Sequence, residues 1–77
     1  MTGIVIQQLL AERCPEAVGA WRWLRVRTTQ AMVVAADGLN AGIGEQVLLV
    51  SGATARNFVP DCPWDWCVAG ILSPEGK

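Results

Sequence analysis

Apolar residues along the chain fall into short runs separated by glycine, proline and polar turns, a spacing typical of strands. The first run is ambiguous, because Ile6, Leu9 and Leu10 share one face at the helical period of 3.6 residues. We predict a strand there, since "IVI" begins the run and Pro15 ends it. The pattern therefore predicts five strands, at 4–10, 21–28, 31–36, 46–51 and 66–72.

Three of these runs are unbroken by polar residues, namely "MVVAA", "VLLV" and "CVAGIL". A half-exposed strand alternates apolar and polar residues, so an unbroken run predicts a strand with both faces removed from water. In a small barrel one face fills the interior. The other face needs a separate cover, and no long helical pattern remains in the chain to supply it. A neighbouring subunit is the expected cover.

The segment "GATARN" after Ser51 predicts one short helix. A serine oxygen can accept a free backbone N–H of the first helical turn, and alanines such as Ala53 and Ala55 favour helix. One short helix among five strands predicts a mainly β fold, specifically a small five-stranded OB-like barrel. With 77 residues, the chain is expected to form one domain over 1–77.

Size and composition indicate that a solitary barrel of this sequence is marginal. Burial of apolar surface contributes about 110 kcal/mol and ordering the chain costs about 115 kcal/mol, so the two nearly cancel. Disulfides and metals are the usual support for small domains, but the chain has three cysteines, an odd number, and no histidine. Because 52% of the residues are hydrophobic and 17% are charged, association with other subunits is the favoured support.

The charge balance and the N-terminal stretch narrow the expected partners and location. A net charge of −1 is the opposite of the basic footprint of nucleic-acid binders. The N-terminal stretch lacks the basic region and long apolar run of a signal peptide or membrane span. We therefore expect a cytoplasmic protein without a nucleic-acid or membrane partner. In that reducing compartment Cys14, Cys62 and Cys67 are predicted to be buried small hydrophobes.

Tryptophan and arginine recur at alternate positions of "WRWLRVR". On a strand, this spacing puts one set of side chains on a single face: Trp21, Trp23, Arg25 and Arg27. Trp64 and Trp66 repeat the spacing. One hypothesis is that an OB-like adaptor stacks single-stranded nucleic acid on these rings, although the scarcity of lysine opposes it. The alternative is that the rings cover barrel ends or subunit boundaries.

Candidates for catalysis or cofactor binding are few. "NAGIGE" resembles the start of a phosphate loop, but it lacks the third glycine and precedes a predicted strand instead of a helix. Without histidine or tyrosine, catalysis would have to rest on a small set: Glu45, Asp61, Cys62, Asp65 and Cys67. The two thiols lack CxxC spacing and a basic neighbour, which disfavours redox chemistry. We predict a non-enzyme with no catalytic residue, cofactor or metal.

Two segments of the C-terminal half together form a more specific pattern. The first is "VVAADGLNAGIGEQVLLVSGATAR", with matching positions Asp37, Ala41, Gly42, Gly44, Glu45, Val47, Ser51, Gly52, Ala55 and Arg56. The second is "PWDWCVAGIL", with matching positions Pro63, Asp65, Val68, Gly70 and Ile71. In order and spacing they resemble the EutN/CcmL family, the pentameric vertex proteins of bacterial microcompartment shells. Asn40 stands where that family usually has glycine.

The resemblance implies that the barrel assembles as a cyclic homopentamer at the five-fold corners of a cytoplasmic microcompartment shell, next to hexameric shell proteins. A five-fold ring uses a heterologous interface, in which one patch meets a different patch of the next subunit. The resemblance places candidate subunit or shell contacts in two segments, at Asn40, Ala41, Gly42, Ile43, Gly44, Glu45, Ser51, Gly52, Ala53 and Arg56. Among them, Arg56 is expected to make a charge-assisted contact across a subunit boundary.

Overall fold

A computed structural model describes residues 1–75 as a closed five-stranded β-barrel. The last two positions of the predicted 1–77 domain lie outside the described residues. The elements in chain order are β1 (Thr2–Leu9), α1 (Glu16–Gly19), β2 (Arg22–Arg27), β3 (Met32–Asp37), β4 (Gln46–Ser51), α2 (Gly52–Phe58) and β5 (Trp66–Leu72). All five predicted strands are confirmed, including the ambiguous first one, and the predicted helix is α2. The single-turn α1 is an element that the sequence pattern does not indicate.

The strands close the barrel in the order β1-β2-β3-β5-β4, with β4 pairing back to β1. Four of the strand pairs are antiparallel. The fifth, between β3 and β5, is parallel and rests on the single backbone pair Ala36 and Cys67. We call this boundary the β3–β5 seam. It has the least backbone pairing in the barrel.

The barrel interior follows the alternation of the strands. Along β2, Leu24 and Val26 are fully buried whereas Arg25 and Arg27 are exposed, as a period of two requires. The main core consists of buried residues from every strand and one loop residue: Val5, Leu24, Val26, Ala35, Ala41, Val47, Leu49 and Val68. The predicted barrel core is therefore confirmed.

A second, smaller core lies against one end of the barrel wall. Its buried members are Ala36, Ala55, Cys62 and Cys67, and half-buried Trp21, Trp23, Val50 and Val59 pack against them. Helix α2 and the segment after it thus cover part of the outer face. The expectation that no element of the chain could cover that face is wrong at this end, because Ala55 of α2 is fully buried there.

Helix α2 begins where the sequence predicts, but the predicted cap is absent. Ser51 has an extended backbone and its side chain makes no capping hydrogen bond. It is the last residue of β4 and pairs with Trp66. Gly52 follows with a left-handed φ of 61°, so the chain changes direction before the first helical N–H groups. With seven residues, α2 is the longer helix within 1–75, and no helix there is long and apolar enough to cross a membrane.

The cysteines differ from the prediction. Cys62 and Cys67 are buried, as expected, but they form a disulfide with a Cα separation of 6.5 Å. Cys14 is free and half-buried. The odd number of cysteines in the sequence is a sign against disulfides. Three cysteines can nevertheless form one disulfide and leave one free thiol, as they do here. The turn between Cys62 and Cys67 brings the two residues together.

Candidate functional site

The carboxylate of Asp37 organises the loop 38–45, which joins β3 to β4. Asp37 is 1% exposed. Its Oδ1 accepts the N–H of Leu39 at 2.8 Å, and its Oδ2 accepts the N–H of Ala41 at 2.8 Å. A side-chain acceptor bonded to the backbone two residues on is the usual role of aspartate in a turn. Here the carboxylate itself is buried, and the charged acceptor makes both bonds stronger than neutral ones.

Arg22 of β2 supports the same loop from the neighbouring strand. It lies opposite Asp37 in the β2–β3 ladder, and its Nε is 3.6 Å from Asp37 Oδ2, an ion-pair distance. Its Nη2 donates to the carbonyl of Ala41 at 3.3 Å. The prediction of site residues omitted both Arg22 and Asp37. The Asp-Gly step at the end of "MVVAAD" is the signal that points to a turn organised by aspartate.

The other end of the loop is fastened to β1. The N–H of Gly44 donates to the carbonyl of Val5 at 2.7 Å, and the N–H of Val5 donates to the carbonyl of Glu45 at 3.0 Å. Within the loop, Glu45 Oε1 accepts the N–H of Gly42 at 2.6 Å. These bonds hold the loop as a defined surface instead of a free connection.

The predicted interface residues of this loop separate into two groups. Ala41 is fully buried in the main core, so its side chain supports the loop from inside. The others present exposed or half-exposed surface: Asn40, Gly42, Ile43, Gly44 and Glu45. Ile43 is 64% exposed and Leu39 is 49% exposed. The loop therefore displays two large apolar side chains on a fixed backbone.

Asn40 adopts a left-handed backbone with a φ of 63°. Asparagine and glycine tolerate this region, whereas a β-branched residue is strained there. We expect Asn40→Gly to be nearly neutral and Asn40→Val to lower the free energy of unfolding by about 1–2 kcal/mol. Urea unfolding at one protein concentration measures both. Thr29→Val, at an exposed turn position without a left-handed φ, is the control. Equal stability of the Asn40→Val and Thr29→Val chains would contradict this account.

The second predicted segment lies at the β4–α2 junction. Ser51 is half-buried, while Gly52, Ala53 and Arg56 are exposed. Arg56 Nη1 donates to the carbonyl of Cys62 at 3.1 Å, within the same chain. The loop 38–45 and this junction stand at opposite ends of β4. The structure thus presents them as two separate patches.

A further uncharged surface lies on the outside of β4 and its two neighbours. Leu48 is 37% exposed and Leu72 is 38% exposed, and Ile4 is half-buried. In the strand register, Leu48 lies between Thr2 and Gly70, and Gln46 lies between Ile4 and Leu72. We call these six outward positions the β4 face: Thr2, Ile4, Gln46, Leu48, Gly70 and Leu72. The unbroken run "VLLV" is the sequence signal for it, although its residues were not among the predicted contacts.

The tryptophans pack on the protein itself. The rings of Trp23 and Trp64 meet edge to face, with centroids 5.7 Å apart and planes at 81°. Trp23 Nε1 donates to the carbonyl of Val18 at 2.9 Å, and Trp64 Nε1 donates to the carbonyl of Val34 at 2.9 Å. These contacts fix both rings within the chain, although Trp64 remains 47% exposed, and they give the nucleic-acid hypothesis no support. Within 1–75 no group of three or more metal-ligating residues is assembled.

Comparisons with known proteins agree on one family. The family model described as "Ethanolamine utilisation protein EutN/carboxysome" matches residues 1–72. The ethanolamine utilization protein EutN from Escherichia coli is 31% identical, with a TM-score of 0.78 over 97% of this chain and 88% of that one. CcmL from Gloeobacter violaceus is 26% identical, with a TM-score of 0.77 over 99% and 91% of the respective chains.

A third solved structure adds a described assembly state. The GrpN pentameric microcompartment shell protein from Rhodospirillum rubrum is 25% identical, with a TM-score of 0.74 over 95% of this chain and 93% of that one. No curated protein sequence matches the chain. The same topology thus recurs over nearly the whole length of this chain and of these relatives.

Proposed function

The chain belongs to the EutN/CcmL family, and on this premise we propose that it is the vertex protein of a bacterial microcompartment shell, acting as a ring of five identical subunits. The match to a pentameric shell protein over 95% of the chain is the observation that carries the proposal. The role is structural, and the expected location is a shell in the cytoplasm. The proposed partners outside the ring are hexameric shell proteins.

The mechanism is geometric and has no chemical step. A flat sheet of six-fold tiles cannot close on itself, and a five-fold unit inserted in it introduces the curvature that closes a polyhedron. The vertex subunit must therefore hold a fixed shape and a fixed angle to its neighbour. The hydrogen-bonded loop 38–45 supports that requirement, since both of its ends are fastened to the barrel.

Exposed apolar surface supports association with other copies. Within residues 1–75, ten large hydrophobic side chains are exposed in the single chain, from Leu48 at 37% to Leu10 at 83%. A cyclic ring buries two different patches of each subunit. We assign one contact to loop 38–45, with Ile43 at its surface, and the other to the junction around Gly52, Ala53 and Arg56. The uncharged β4 face lies between them and extends the buried area.

A native mass measurement tests the assembly. The purified chain at micromolar concentration is expected to give the mass of five subunits, and a mass of one subunit would overturn the proposal. Ile43→Glu is expected to shift the mass to that of the monomer, because a ring repeats the buried charge five times and each copy is costly to desolvate. Leu10→Glu is the matched control, since Leu10 is exposed but lies outside the assigned contacts.

The same measurement tests the role of Arg56. One of its N–H groups is bonded within the chain, and the exposed guanidinium has further donors for a carbonyl or carboxylate of the next subunit. The ring of the Arg56→Ala variant is expected to dissociate at a higher protein concentration than the parent ring. Arg25→Ala, at another exposed arginine, is the control. Equal dissociation of the two variants would remove Arg56 from the interface.

A monomer with salt-sensitive affinity for a single-stranded oligonucleotide would instead favour the nucleic-acid hypothesis.

A further inference from the structure

The β3–β5 seam needs support beyond its backbone pairing. Ala36 and Cys67 form its single registered pair, whereas β2 and β3 pair along the whole of both strands. Upstream of Ala36, the carbonyl of Val34 accepts a hydrogen bond from the indole of Trp64 at 2.9 Å. The Trp64 side chain thus donates a hydrogen bond to a β3 carbonyl at this seam. Elsewhere in the barrel, the backbone of a neighbouring strand makes bonds of this kind.

Trp64 lies in the segment 59–67, which we call the clasp because it spans the seam from the end of α2 to the start of β5. The Trp64 ring also packs edge to face on Trp23. Trp23 in turn donates its indole N–H to the carbonyl of Val18 in α1. The position of Trp64 therefore connects β5, β3, β2 and α1 through consecutive contacts.

The disulfide between Cys62 and Cys67 closes the clasp around Trp64. The Sγ atoms of Cys62 and Cys67 lie 3.5 and 3.4 Å from the carbonyl oxygen of Trp64. Cys67 also supplies the seam's backbone pair, and the carbonyl of Cys62 accepts the bond from Arg56. The bond thus fixes the chain on both sides of the ring that spans the seam.

The disulfide lies beneath an exposed turn and outside the main core. Asp61, Trp64 and Asp65 of the clasp are exposed. Cys62 is 5% exposed and Cys67 is fully buried, so an exchanging thiol would reach Cys62 first. The main core is a separate cluster that includes neither cysteine. Breaking the bond therefore leaves the barrel interior intact.

We propose that the Cys62–Cys67 disulfide is a reversible redox modification that sets how firmly the clasp holds the β3–β5 seam. For reduction, a thiolate of a low-molecular-weight thiol attacks Cys62 Sγ, forms a mixed disulfide and releases Cys67 as a thiolate, which takes up a proton. A second thiol molecule attacks the mixed disulfide and releases the Cys62 thiolate. The protein gains two electrons and two protons, and the two thiol molecules leave as their disulfide. Oxidation by that disulfide is the reverse reaction.

Reduction is expected to loosen the clasp without unfolding the barrel. The bond closes a ring of six residues, and loss of that restraint lowers the folding equilibrium constant on the order of 40-fold on the loop-entropy scale. Trp64 is already 47% exposed, so the expected readout is a change in tryptophan fluorescence when its ring leaves the edge-to-face contact with Trp23. The main core retains its packing, and the reduced chain is expected to stay folded.

The test uses the full chain with Cys14→Ser, so that the pair supplies the only thiols. The protein is equilibrated in buffers of varied reduced to oxidised glutathione, and alkylated thiols are counted by intact mass without denaturant. Zero and two modified thiols are expected at the two extremes, interconverting in both directions, with a lower urea midpoint in the reduced form. The unsubstituted chain is expected to give one modified thiol in the most oxidising buffer and three in the most reducing one. This result would show that Cys14→Ser does not alter the exchange of the pair. Trp64→Phe should keep the thiol titration and lose the fluorescence change.

Three results would overturn the proposal. The first is a pair that stays as thiols at every glutathione ratio, and the second is a disulfide that resists reduction until the chain is unfolded. The third is reversible exchange that changes neither the fluorescence nor the urea midpoint. Native mass, recorded for both redox forms, tests the pentamer separately, so failure of the ring and failure of the redox modification are distinct outcomes.

Discussion

Asp37→Ala is expected to lower the free energy of unfolding by about 3–5 kcal/mol, because it removes two hydrogen bonds to a charged group, each of which contributes about 1.5–3 kcal/mol. The substitution leaves the N–H groups of Leu39 and Ala41 without the carboxylate that accepts both of them at 2.8 Å. Because small domains have a total stability of only about 5–15 kcal/mol, this loss is a large fraction of the total and the urea midpoint should fall sharply. Urea unfolding followed by circular dichroism at one protein concentration measures the effect.

Two further variants separate the role of the carboxylate from that of its ion pair. Asp37→Asn keeps one acceptor oxygen, so its loss should be smaller than that of Asp37→Ala. Arg22→Ala should cost about 1 kcal/mol or less, because the Arg22 side chain is 39% exposed and water can replace much of its contact. Asp65→Ala, at an exposed position, is the control. If Asp37→Ala unfolds at the same urea concentration as the control, the carboxylate does not organise the loop.

Gly3→Ala is expected to lower the free energy of unfolding by about 2–3 kcal/mol, near the upper end for overpacking a filled core. A Cβ at this position would lie 2.5 Å from Val26 Cγ1 and 2.9 Å from the carbonyl oxygen of Arg27. Val26 is fully buried in the main core, and a backbone oxygen in a strand cannot move alone. The pairing of β1 with β2 must therefore shift. The change in thermal midpoint measures the loss.

Gly70→Ala is the matched control for Gly3→Ala. Both glycines lie in strands without a left-handed φ, so alanine restricts the unfolded chain equally in the two variants. A Cβ at Gly70 meets Leu48 Cβ at 4.0 Å, an ordinary contact distance. We expect its midpoint to stay the same or rise slightly. A common midpoint for both variants would show that the space at Gly3 is not limiting.

Sequence reasoning located the strands well because the signal for them is local. The alternation of Leu24 and Val26 with Arg25 and Arg27 reports which side of β2 faces inward, whatever strand lies beside it. The unbroken run of β4 predicted burial on both faces, whereas its outer face carries Leu48 at 37% exposed in the single chain. The resemblance of the segments 33–56 and 63–72 to the EutN/CcmL family was confirmed by the match over residues 1–72.

The candidate site was predicted only in outline. The turn chemistry of "DGLNAGIGE" indicated a loop with close backbone contacts, and the fixed loop 38–45 agrees with that. The sequence did not show that Ala41 belongs to the core or that Arg22 supports the loop, because both facts depend on residues placed together by strand pairing. The contacts assigned to Ile43 and Arg56 remain predictions for the native mass measurement.

By itself, the sequence determined the strand pattern and the position of α2, since periodicity acts over a few neighbouring residues, and the resemblance of two of its segments identified the family. Only the tertiary structure decided which residues meet across distance: Asp37 with Arg22, Trp64 with Val34 and Cys62 with Cys67. Closing the barrel brings β5 beside β3 with a single backbone pair. The side chains that support that seam are chosen by this geometry, which no local pattern encodes.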